Sequence, residues 1–302
     1  MNGPILAIGL PVYQGGSTLV RALDSLRRQE FQDWVLTIAD NASTDDTAEI
    51  ARAYAAKDER IRHVRHGSNL GAAANFLFLA RSAQSPYFMW AAADDEWSPN
   101  YLAACLDLLE AEPATGFAGG SVINVDPAGA QLRAYGAFRR LDSASPLVRV
   151  GRYVASREID GKANVIYSVF RSELIRDVCS NDRVMEGWGA DMGLVAAALY
   201  RAPYRQVTGA TLYKRVASQD DIATSKAIAA GRYADVEFGG NFPPGQFQSY
   251  LDALLRGVGD RQLRRRIIAT MRLRLAITKT GMQVSRLSRI ARRFWRAERG
   301  AV

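Results

Sequence analysis

Two adjacent carboxylates, Asp94 and Asp95, directly follow an apolar stretch, "YFMWAAA", that has the composition of a buried strand. Two like charges this close repel each other unless water, a metal ion or a cationic partner compensates them. Carboxylate oxygens are the ligands that hard divalent cations prefer, so the pair is a candidate metal site. The alternative is a solvated loop before a helix, because Ser98 and Pro99 are typical of an N-cap and a first helical residue.

Two other segments follow apolar stretches in the same way, and these are Pro11-Val12-Tyr13 and Asp40-Asn41. The stretches before them belong to a regular alternation of strand and helix patterns over residues 1–125. Amphipathic helix patterns, each with a polar residue at its start, separate the apolar stretches. The predicted strands of this region are 5–10, 34–39, 61–65, 86–92 and 116–125.

Almost continuously apolar strands that alternate with helices indicate an α/β fold with a mostly parallel sheet flanked by helices on both faces. In an open α/β sheet, ligands bind beyond the carboxyl ends of the strands. All three segments stand at such ends. We therefore expect them to meet at one edge of the sheet, and this shared position makes a binding site a stronger interpretation than the acidic pair alone.

The pattern becomes irregular after Asp126. The predicted elements of this part are a strand at 163–170, a helix at 189–202, a strand at 204–215 and a linker rich in glycine and proline within 218–245. The rest of the chain is helical and basic. The chain therefore divides into three regions, which are 1–125, 126–245 and 246–302.

Composition excludes several classes of protein. The chain has 302 residues, and 48% of them are hydrophobic, as in ordinary globular proteins. Cys105 and Cys179 lie in apolar helical patterns, and the two histidines, His63 and His66, stand apart from them. This argues against a disulfide framework, a His/Cys metal site and a histidine-based triad, and it suits a reducing cytoplasm. No apolar stretch reaches the roughly 20 residues of a membrane span, and the N-terminal stretch lacks the basic region of a signal peptide.

Positive charge is concentrated at the C-terminal end. From Arg256 onward there are 14 basic against two acidic residues, a net +12, so the preceding residues carry −4 of the formal total of +8. Over residues 284–299, helical spacing places six arginines on one side and apolar residues, including Phe294 and Trp295, on the other. A basic helix of this kind is typical of peripheral attachment to an anionic membrane surface.

Two alternatives to membrane attachment remain for this basic helical extension. Its apolar side could pack on the protein itself, or it could bury in a second copy of the chain and form a homo-oligomer. Nucleic acid is not an expected partner, because no recognised nucleic-acid-binding module accompanies the charge.

Four segments, in this order and at these spacings, resemble the family 2 inverting glycosyltransferases with the GT-A fold. They are "LPVYQGGSTLVRALDSLRRQ", "IADNASTDDT", "NLGAAAN" and "ADDEWSPNYL". The resemblance covers about residues 5–215 and is strongest up to Leu102. It implies a GT-A-type α/β fold in which residues 1–125 bind a nucleotide-sugar, residues 126–245 bind the acceptor, and residues 246–302 form the basic helical extension.

The resemblance assigns the donor nucleotide to the first region. Asp40 would accept the N–H of the base, which suits uracil or thymine and is compatible with guanine. A UDP- or dTDP-sugar is therefore favoured as donor, and a GDP-sugar is compatible. Gly71 would allow the backbone to approach the nucleoside closely. The other residues of this pocket would be Pro11, Val12, Tyr13, Asn69 and Asn75.

The same resemblance gives the opening pair of carboxylates a role. Asp95 would bind Mg²⁺ or Mn²⁺, Asp94 would hold the ribose or assist the metal, and the metal would hold the donor diphosphate. A divalent cation and a nucleotide would then compensate the repulsion between the two side chains. The sequence departs from the family pattern at Ala92, where a third carboxylate often stands. This departure leaves metal affinity and donor preference open.

The resemblance places the catalytic base in the second region. Asp191, at the start of a predicted helix, matches the family's acidic motif and would take the proton of the acceptor hydroxyl. Ala190 stands where the family usually has a Glu. The alternative is that Asp191 only interacts with the helix N-terminus. Trp188 would stack on the acceptor, although a lone aromatic residue is equally often part of the core.

The segment "LYKRVAS" resembles the family's late basic motif, in which a histidine often follows. Here Ala217 stands where that histidine would be. Lys214 and Arg215 would neutralise the leaving diphosphate, or they form an ordinary charge pair at a strand end.

Together these expectations describe a metal-dependent inverting glycosyltransferase. It would transfer a sugar to a hydroxyl of a glycan or lipid-linked acceptor, at the inner face of the cytoplasmic membrane, in bacterial surface polysaccharide synthesis. The rival is a non-catalytic nucleotide-sugar- or glycan-binding module of the same fold, which Ala92 and Ala190 favour. A nucleotidyltransferase is disfavoured, because it requires a cationic phosphate loop after the first strand and no cation occurs there before Arg21.

Overall fold

The computed structural model describes residues 3–138, 140–216, 218–229 and 241–280. Within these residues, nine strands form one sheet. They are β1 (Leu6–Val12), β2 (Trp34–Asp40), β3 (Ile61–Arg65), β4 (Tyr87–Trp90), β5 (Glu96–Trp97), β6 (Phe117–Val125), β7 (Gln131–Ala134), β8 (Val169–Arg171) and β9 (Tyr204–Arg215). The order across the sheet is β3-β2-β1-β4-β8-β6-β9-β5, with β7 paired to β6.

Ten α-helices lie in the same described residues. They are α1 (Leu19–Arg27), α2 (Thr47–Lys57), α3 (Ala72–Ser82), α4 (Tyr101–Ala111), α5 (Pro146–Ala155), α6 (Ser172–Val178), α7 (Ala190–Arg201), α8 (Gln219–Ala229), α9 (Phe247–Arg256) and α10 (Arg261–Thr280). Two hydrophobic clusters cover the two faces of the sheet, one with α1, α2 and α4, the other with α3, α5, α6, α7, α9 and α10. This is the helix–sheet–helix layering of an α/β fold, as predicted.

The first four strands confirm the predicted parallel sheet. β1 pairs with β2 and β4, and β2 pairs with β3, all in parallel. The side chains of β1, β2 and β4 are almost all buried, which is why these stretches are almost continuously apolar. The edge strand β3 is only partly buried and contains Arg62, His63 and Arg65. Parallel pairing brings the ends of β1, β2 and β4 to one edge, where Val12 lies opposite Asp40.

The second part of the sheet is mixed. The short strand β8 is antiparallel to both β4 and β6, whereas the long strand β9 is parallel to β6. β9 also pairs with β5, with Glu96 opposite Tyr213. The loop that carries Asp94 and Asp95 lies between β4 and β5, so this pairing fixes it against the end of β9.

Three of the sequence predictions need correction. The strand predicted at 163–170 is largely a 3₁₀-helix, Lys162–Tyr167, and only its end continues into β8. The linker predicted within 218–245 contains a helix, α8. The helix predicted to start at Ser98 begins at Tyr101 with Asn100 as N-cap, because the Ser98 hydroxyl instead binds Asn100 and accepts the N–H of Thr211.

The C-terminal helices pack into the core. α9 packs on α7, and α10 packs on α5 and α9. Buried side chains of both helices, among them Tyr250, Leu254, Ile267 and Met271, belong to the same cluster as α7. Residues 247–256 and 261–280 are thus helical as predicted, and the amphipathic helix predicted at 284–299 lies outside the described residues. Of the helices that are described, none combines the length and apolarity needed to cross a bilayer.

Candidate functional site

Asp40 ends β2 with a fully buried side chain that is held by several donors. The Arg65 guanidinium lies 2.7 Å from Oδ2, and the Ser43 N–H donates to Oδ1 at 2.8 Å. Burial by itself raises the pKa of Asp40, but the bonds from Ser43 and Arg65 outweigh it and hold the pKa below its usual value. Asp40 is therefore an ionised hydrogen-bond acceptor at the sheet edge, which is the chemistry predicted for recognition of a base N–H.

The segment after β3 is attached to Asp40's neighbour, Asn41. Asn41 Nδ2 donates to Asn69 Oδ1 at 2.8 Å, and Asn41 Oδ1 accepts the N–H of Leu70 at 2.9 Å. Gly71 has φ of 83° and is the N-cap of α3, a conformation that favours glycine. Asn75 donates to the carbonyl of Ala39 at 2.8 Å. Four predicted pocket residues, Asp40, Asn69, Gly71 and Asn75, thus lie together, and Asn41, which the sequence placed at the same strand end without a role of its own, connects two of them.

The turn after β1 completes this pocket on the other side. Tyr13 is 52% exposed, whereas the Val12 side chain is buried in the core. The Val12 carbonyl accepts the N–H of Asn41 at 2.9 Å, which joins the turn to the end of β2. Pro11 is partly exposed at the end of the strand. Of the predicted trio, Tyr13 and Pro11 therefore offer side chains to a ligand, and Val12 contributes backbone.

The two central carboxylates differ sharply in environment. Asp94 is exposed, whereas Asp95 is fully buried. Lys214 Nζ lies 3.2 Å from Asp95 Oδ2, and the Arg215 N–H donates to Asp95 Oδ1 at 3.2 Å. Burial raises the pKa of Asp95 to about 6, and the charge of Lys214 opposes this shift while that of Asp94 adds to it. The Lys214 ammonium therefore compensates part of the repulsion between the Asp94 and Asp95 carboxylates.

The carboxylates suit Mg²⁺ or Mn²⁺ in donor chemistry but do not enclose one. Asp94 and Asp95 offer hard oxygen ligands, and among the described residues no group of three His, Cys, Asp or Glu side chains could hold a metal by itself. Ala92, at the position of the family's third carboxylate, is buried. Ligand oxygens outside the protein, such as phosphate and water, would have to complete a metal's coordination here.

Lys214 and Arg215 have different surroundings. The Arg215 guanidinium forms an ion pair with Glu96 and donates to the carbonyls of Asp126 and Pro127 at 2.8 Å. These bonds fix the loop after β6, as expected of an ordinary strand-end charge. Lys214 instead points toward Asp95, so of the two it is the cation available to a diphosphate. Ala217, where a histidine was expected, lies outside the described residues.

Asp191 lies in the first turn of α7. Its Oδ1 accepts the N–H of Met192 at 2.8 Å. Burial raises the pKa of Asp191, and the Met192 N–H and the charges of Lys162 and Lys214 lower it. Because Lys214 acts on both Asp95 and Asp191, the candidate metal site and the candidate base face one electrostatic environment.

Tyr167 lies at the junction of these groups, and sequence reasoning missed it. Its ring centre is 5.1 Å from Lys214 Nζ. Burial raises its pKa to about 12, with Lys214 opposing and the carboxylates of Asp95, Asp94 and Asp191 contributing. Within the stretch "ANVIYSVF" nothing distinguished this tyrosine from a core residue of a strand.

Trp188 stands beside Asp191 in a turn made by two glycines. Gly187 and Gly189 have φ of 81° and 78°, values that favour glycine at both positions. The backbone N–H of Trp188 donates to Ser249 Oγ at 2.9 Å, and the indole ring packs edge to face on the ring of Tyr250. The indole is partly exposed. It therefore has one anchored edge and a surface that is open to an acceptor.

The site has three parts within one region. They are a pocket with an ionised acceptor at Asp40, a buried carboxylate and cation at Asp95 and Lys214, and a carboxylate beside an aromatic ring at Asp191 and Trp188. The first part can recognise a nucleobase, the second can hold a diphosphate with a divalent cation, and the third can accept a proton from a bound hydroxyl.

Known proteins share both the sequence pattern and the fold. The family model of Glycosyl transferase family 2 matches residues 7–168. A protein of Escherichia coli (strain K12) described as a colanic acid biosynthesis glycosyl transferase, WcaA, is 31% identical over 105 residues, which is 35% of this chain and 38% of that protein. A Bacillus subtilis (strain 168) protein described as a teichuronic acid biosynthesis glycosyltransferase, TuaG, is 30% identical over 124 residues, or 41% of this chain and 49% of that protein. The matched segments thus span less than half of these relatives.

Solved structures show the same architecture across nearly the whole chain. The S. aureus TarS structure in complex with UDP has a TM-score of 0.57 at 15% identity, with 92% of each chain covered. The mannosyltransferase PcManGT of Pyrobaculum calidifontis, in complex with GDP-Man and Mn²⁺, has a TM-score of 0.51 at 17% identity, with 93% of this chain and 80% of that chain covered. The family model matches slightly more than half of the residues and includes the edge that carries Asp40, Asp94 and Asp95, and so the chain belongs to glycosyl transferase family 2 and has the GT-A fold.

Proposed function

We propose that this protein is an inverting glycosyltransferase that moves a sugar from a nucleotide-diphosphate sugar to a hydroxyl of an acceptor. The observation that carries the proposal is the position of Lys214, which bonds Asp95 at 3.2 Å and also acts on Asp191. A donor diphosphate held at Lys214 would therefore lie within electrostatic reach of a carboxylate base. Inverting displacement needs this pairing of a stabilised leaving group with one base.

The donor is a nucleotide-sugar with a base that carries an N–H opposite Asp40. Uracil and thymine meet this requirement at N3 and guanine at N1, so UDP- and dTDP-sugars are favoured and GDP-sugars are compatible. Structures of TarS contain UDP and UDP-GlcNAc, and that of PcManGT contains GDP-Man, which supports a nucleotide-sugar here.

Asp95 and Asp94 would hold Mg²⁺ or Mn²⁺ together with the diphosphate. When bound, the divalent cation neutralises charge on the leaving diphosphate. The Mn²⁺ complex of PcManGT supports a cation at such a site. Lys214 contributes a second positive charge from the protein side, and the Arg215 N–H keeps the Asp95 carboxylate oriented.

Asp191 takes the proton of the acceptor hydroxyl in the transfer step. As the acceptor oxygen bonds to the anomeric carbon, the bond from that carbon to the donor phosphate oxygen breaks, and its electron pair leaves with the diphosphate. Attack opposite to the leaving group inverts the anomeric configuration. Trp188 orients the acceptor by stacking on a sugar ring.

The acceptor is a glycan or a lipid-linked glycan of bacterial surface polysaccharide synthesis. The relatives described for colanic acid and teichuronic acid biosynthesis support this class. We place the protein at the cytoplasmic face of the membrane. Its two cysteines are free and buried, which is compatible with a reducing compartment.

The exposed face of α10 supports contact with an anionic membrane. Arg261, Arg265, Arg272 and Lys279 are exposed and lie within about 40° of one another at the helical 100° per residue. They span about 27 Å along the axis. The helix contains no acidic residue. Each such cation contributes about 1 kcal/mol near an anionic lipid surface.

Vesicle binding tests the membrane part of the proposal. The protein is expected to sediment with phosphatidylglycerol-containing vesicles and not with phosphatidylcholine vesicles. The triple variant Arg261→Gln, Arg265→Gln, Arg272→Gln should bind about 100-fold more weakly. Equal binding of both vesicle types, or of both proteins, would remove α10 as a membrane face.

Nucleotide binding and one variant test the enzymatic part. We expect UDP or dTDP to raise the melting temperature in a Mn²⁺-dependent manner, with GDP as the compatible alternative and CMP as the negative control. Asp191→Asn should retain this nucleotide binding and lose transfer. Transfer at the wild-type rate in Asp191→Asn would refute the base assignment.

A non-catalytic binding module is the second candidate, and Ala92 and Ala190 favour it because both replace carboxylates of the family pattern. This candidate predicts that the wild-type protein binds nucleotide-sugar without consuming it. Release of free nucleoside diphosphate from donor and acceptor, followed by chromatography, separates the two functions.

A further inference from the structure

A buried ionic cluster lies next to the helix that carries Asp191. The Lys162 side chain is fully buried, and its Nζ lies 2.9 Å from Glu158 Oε1 and 2.8 Å from the Ser156 carbonyl. Arg274 of α10, 2% exposed, forms an ion pair with the other oxygen of Glu158. The cluster thus contains two cations and one carboxylate, which leaves one positive charge uncompensated within it.

Two aromatic rings separate Lys162 from α7. Its ammonium lies 5.3 Å from the centre of the Tyr250 ring and 5.5 Å from that of Tyr153. The Tyr250 hydroxyl donates to Met192 Sδ at 3.3 Å, and its ring packs on Gly189, where a Cβ atom would come within 2.5 Å of it. Tyr250 therefore contacts α7 on both sides of Asp191, and Lys162 lies against the same ring.

Arg274 secures the cluster from the C-terminal side. Its guanidinium donates to the Val154 carbonyl at 3.0 Å and to Asn241 Oδ1 at 3.1 Å, and it lies 5.3 Å from the Phe242 ring centre. A buried ion pair of this kind is costly to form, and well-packed apolar residues of similar volume can often replace the whole pair without loss of stability. Its position beside the reaction centre suggests that it serves the reaction.

We propose that Lys162 is a positioning residue of the transfer reaction, held by Glu158 so that its fixed positive charge keeps Asp191 ready to accept a proton. The inference rests on the proposed function of Asp191 as base. Burial lowers the pKa of Lys162 to about 8 against the attraction of Glu158, so the ammonium is charged at neutral pH. The titratable and charged groups that face Lys162 are Glu158, Asp160, Arg274, Tyr153 and Tyr250. Those that face Asp191 are Lys162, Lys214, Tyr153 and Tyr167.

The sign of the effect is fixed by this geometry. A base must be ionised, so transfer falls as the pH drops through the pKa of Asp191 in the enzyme. Removal of the Lys162 charge disfavours the carboxylate and raises that pKa. In the pH profile of kcat, the acidic limb of Lys162→Met should therefore lie at a higher pH than that of the wild type, by about one pH unit. The KM for the donor should stay within about twofold, since Lys162 contacts none of the donor residues.

Arg149→Met is the matched control. Arg149 is also a buried cation; it lies on α5 and binds the carbonyls of Leu199 and Tyr200 at the end of α7 opposite to Asp191. It should lower the melting temperature and leave the acidic limb in place. An unmoved limb in Lys162→Met, or an equal shift in both variants, would overturn the proposal.

Two further measurements keep the result interpretable. If Lys162→Met does not fold, Lys162→Gln removes the same charge and can still donate to the Ser156 carbonyl, so its pH profile decides the question. Asp191→Asn tests the proposed base separately from the role of Lys162. Its retention of transfer would refute the proposed base, whereas its loss of transfer with an unmoved limb in Lys162→Met would refute only the role of Lys162.

Discussion

Lys214 Nζ and Asp95 Oδ2 lie 3.2 Å apart, with Asp95 fully buried. The carboxylate expected to bind a divalent cation is therefore already paired with a protein cation. A metal that arrives with a nucleotide must share this carboxylate with Lys214. The Lys214 charge should therefore weaken the binding of a metal at Asp95 while it stabilises the negative charge of the diphosphate.

Lys214→Met should change these two properties in opposite ways. Without the ammonium, the negative potential at Asp94 and Asp95 is uncompensated, so Mn²⁺ should bind about tenfold more tightly in a calorimetric titration without nucleotide, at a pH high enough to keep Asp95 ionised after its pKa rises. Transfer should fall about 100-fold, because one positive charge at the leaving diphosphate is lost. Lys214→Arg keeps the charge and serves as control. Weaker Mn²⁺ binding in Lys214→Met would contradict the arrangement.

Asp40→Asn should reduce discrimination between bases. Uracil presents an N–H at N3, whereas cytosine has an acceptor there, so the wild-type protein should prefer UDP over CDP. The amide of the variant can donate as well as accept, and we expect UDP affinity to fall about tenfold and the preference to narrow. The Asn Oδ1 can still accept the N–H of Ser43, so the fold should persist. Isothermal titration with both nucleotides measures the effect, and an unchanged preference would exclude Asp40 from base recognition.

Arg149→Met should destabilise the protein without altering the donor site. The buried guanidinium donates to four carbonyls, two at the end of α7 and those of Ser143 and Ala144 at 2.9 and 2.7 Å. Their loss leaves buried acceptors unpaired, and the free energy of unfolding should fall by about 3 kcal/mol. Urea denaturation measures this, with UDP affinity at low temperature as the control. A change below about 0.5 kcal/mol would show that water replaces the arginine.

Glu158 should make stability depend on pH in the acidic range. Burial tends to raise the pKa of Glu158, but Lys162 and Arg274 outweigh it and lower the pKa to about 2. An unfolded glutamate titrates near 4.3, roughly, so the contribution of Glu158 to stability is fully present above that pH and is lost as the pH falls toward 2. The contribution amounts to about 3 kcal/mol.

Urea denaturation between pH 3 and pH 7 tests this dependence. Glu158→Gln should be less stable than wild type at pH 7, and its free energy of unfolding should fall less between pH 5 and pH 3. Glu173→Gln is the control, because Glu173 is exposed on α6 and its replacement should leave both values unchanged. If the free energy of unfolding depended on pH in the same way in the wild type and in Glu158→Gln, the assigned ionisation of Glu158 would be contradicted.

The first part of the sheet could be predicted from the sequence because its signals are local. β1, β2 and β4 are apolar stretches, and Tyr13, Asp40 and Asp94 stand at or shortly after their ends. The 3₁₀-helix at 162–167 could not be predicted, since a short apolar stretch is compatible with strand or helix and only its packing on α7 decides between them.

The site shows the same division. Asp40 and Asp95 are polar residues that follow apolar stretches, and the strand pattern identified them, whereas Asp191 was assigned through the family resemblance. Asn41, Tyr167 and Lys162 acquire their roles through contacts with residues distant in the chain, such as Asn69, Lys214 and Tyr250. No spacing in the sequence encodes those contacts.

The packing of α9 and α10 has a consequence for any shortened version of the protein. The family match ends at residue 168, but the cluster that contains Trp90 and Phe117 of the sheet continues through α7 into Leu254 and Ile267. A fragment cut at the family boundary would expose this apolar surface to water and should aggregate. Recombination between relatives would therefore have to exchange the C-terminal helices together with α5 and α7.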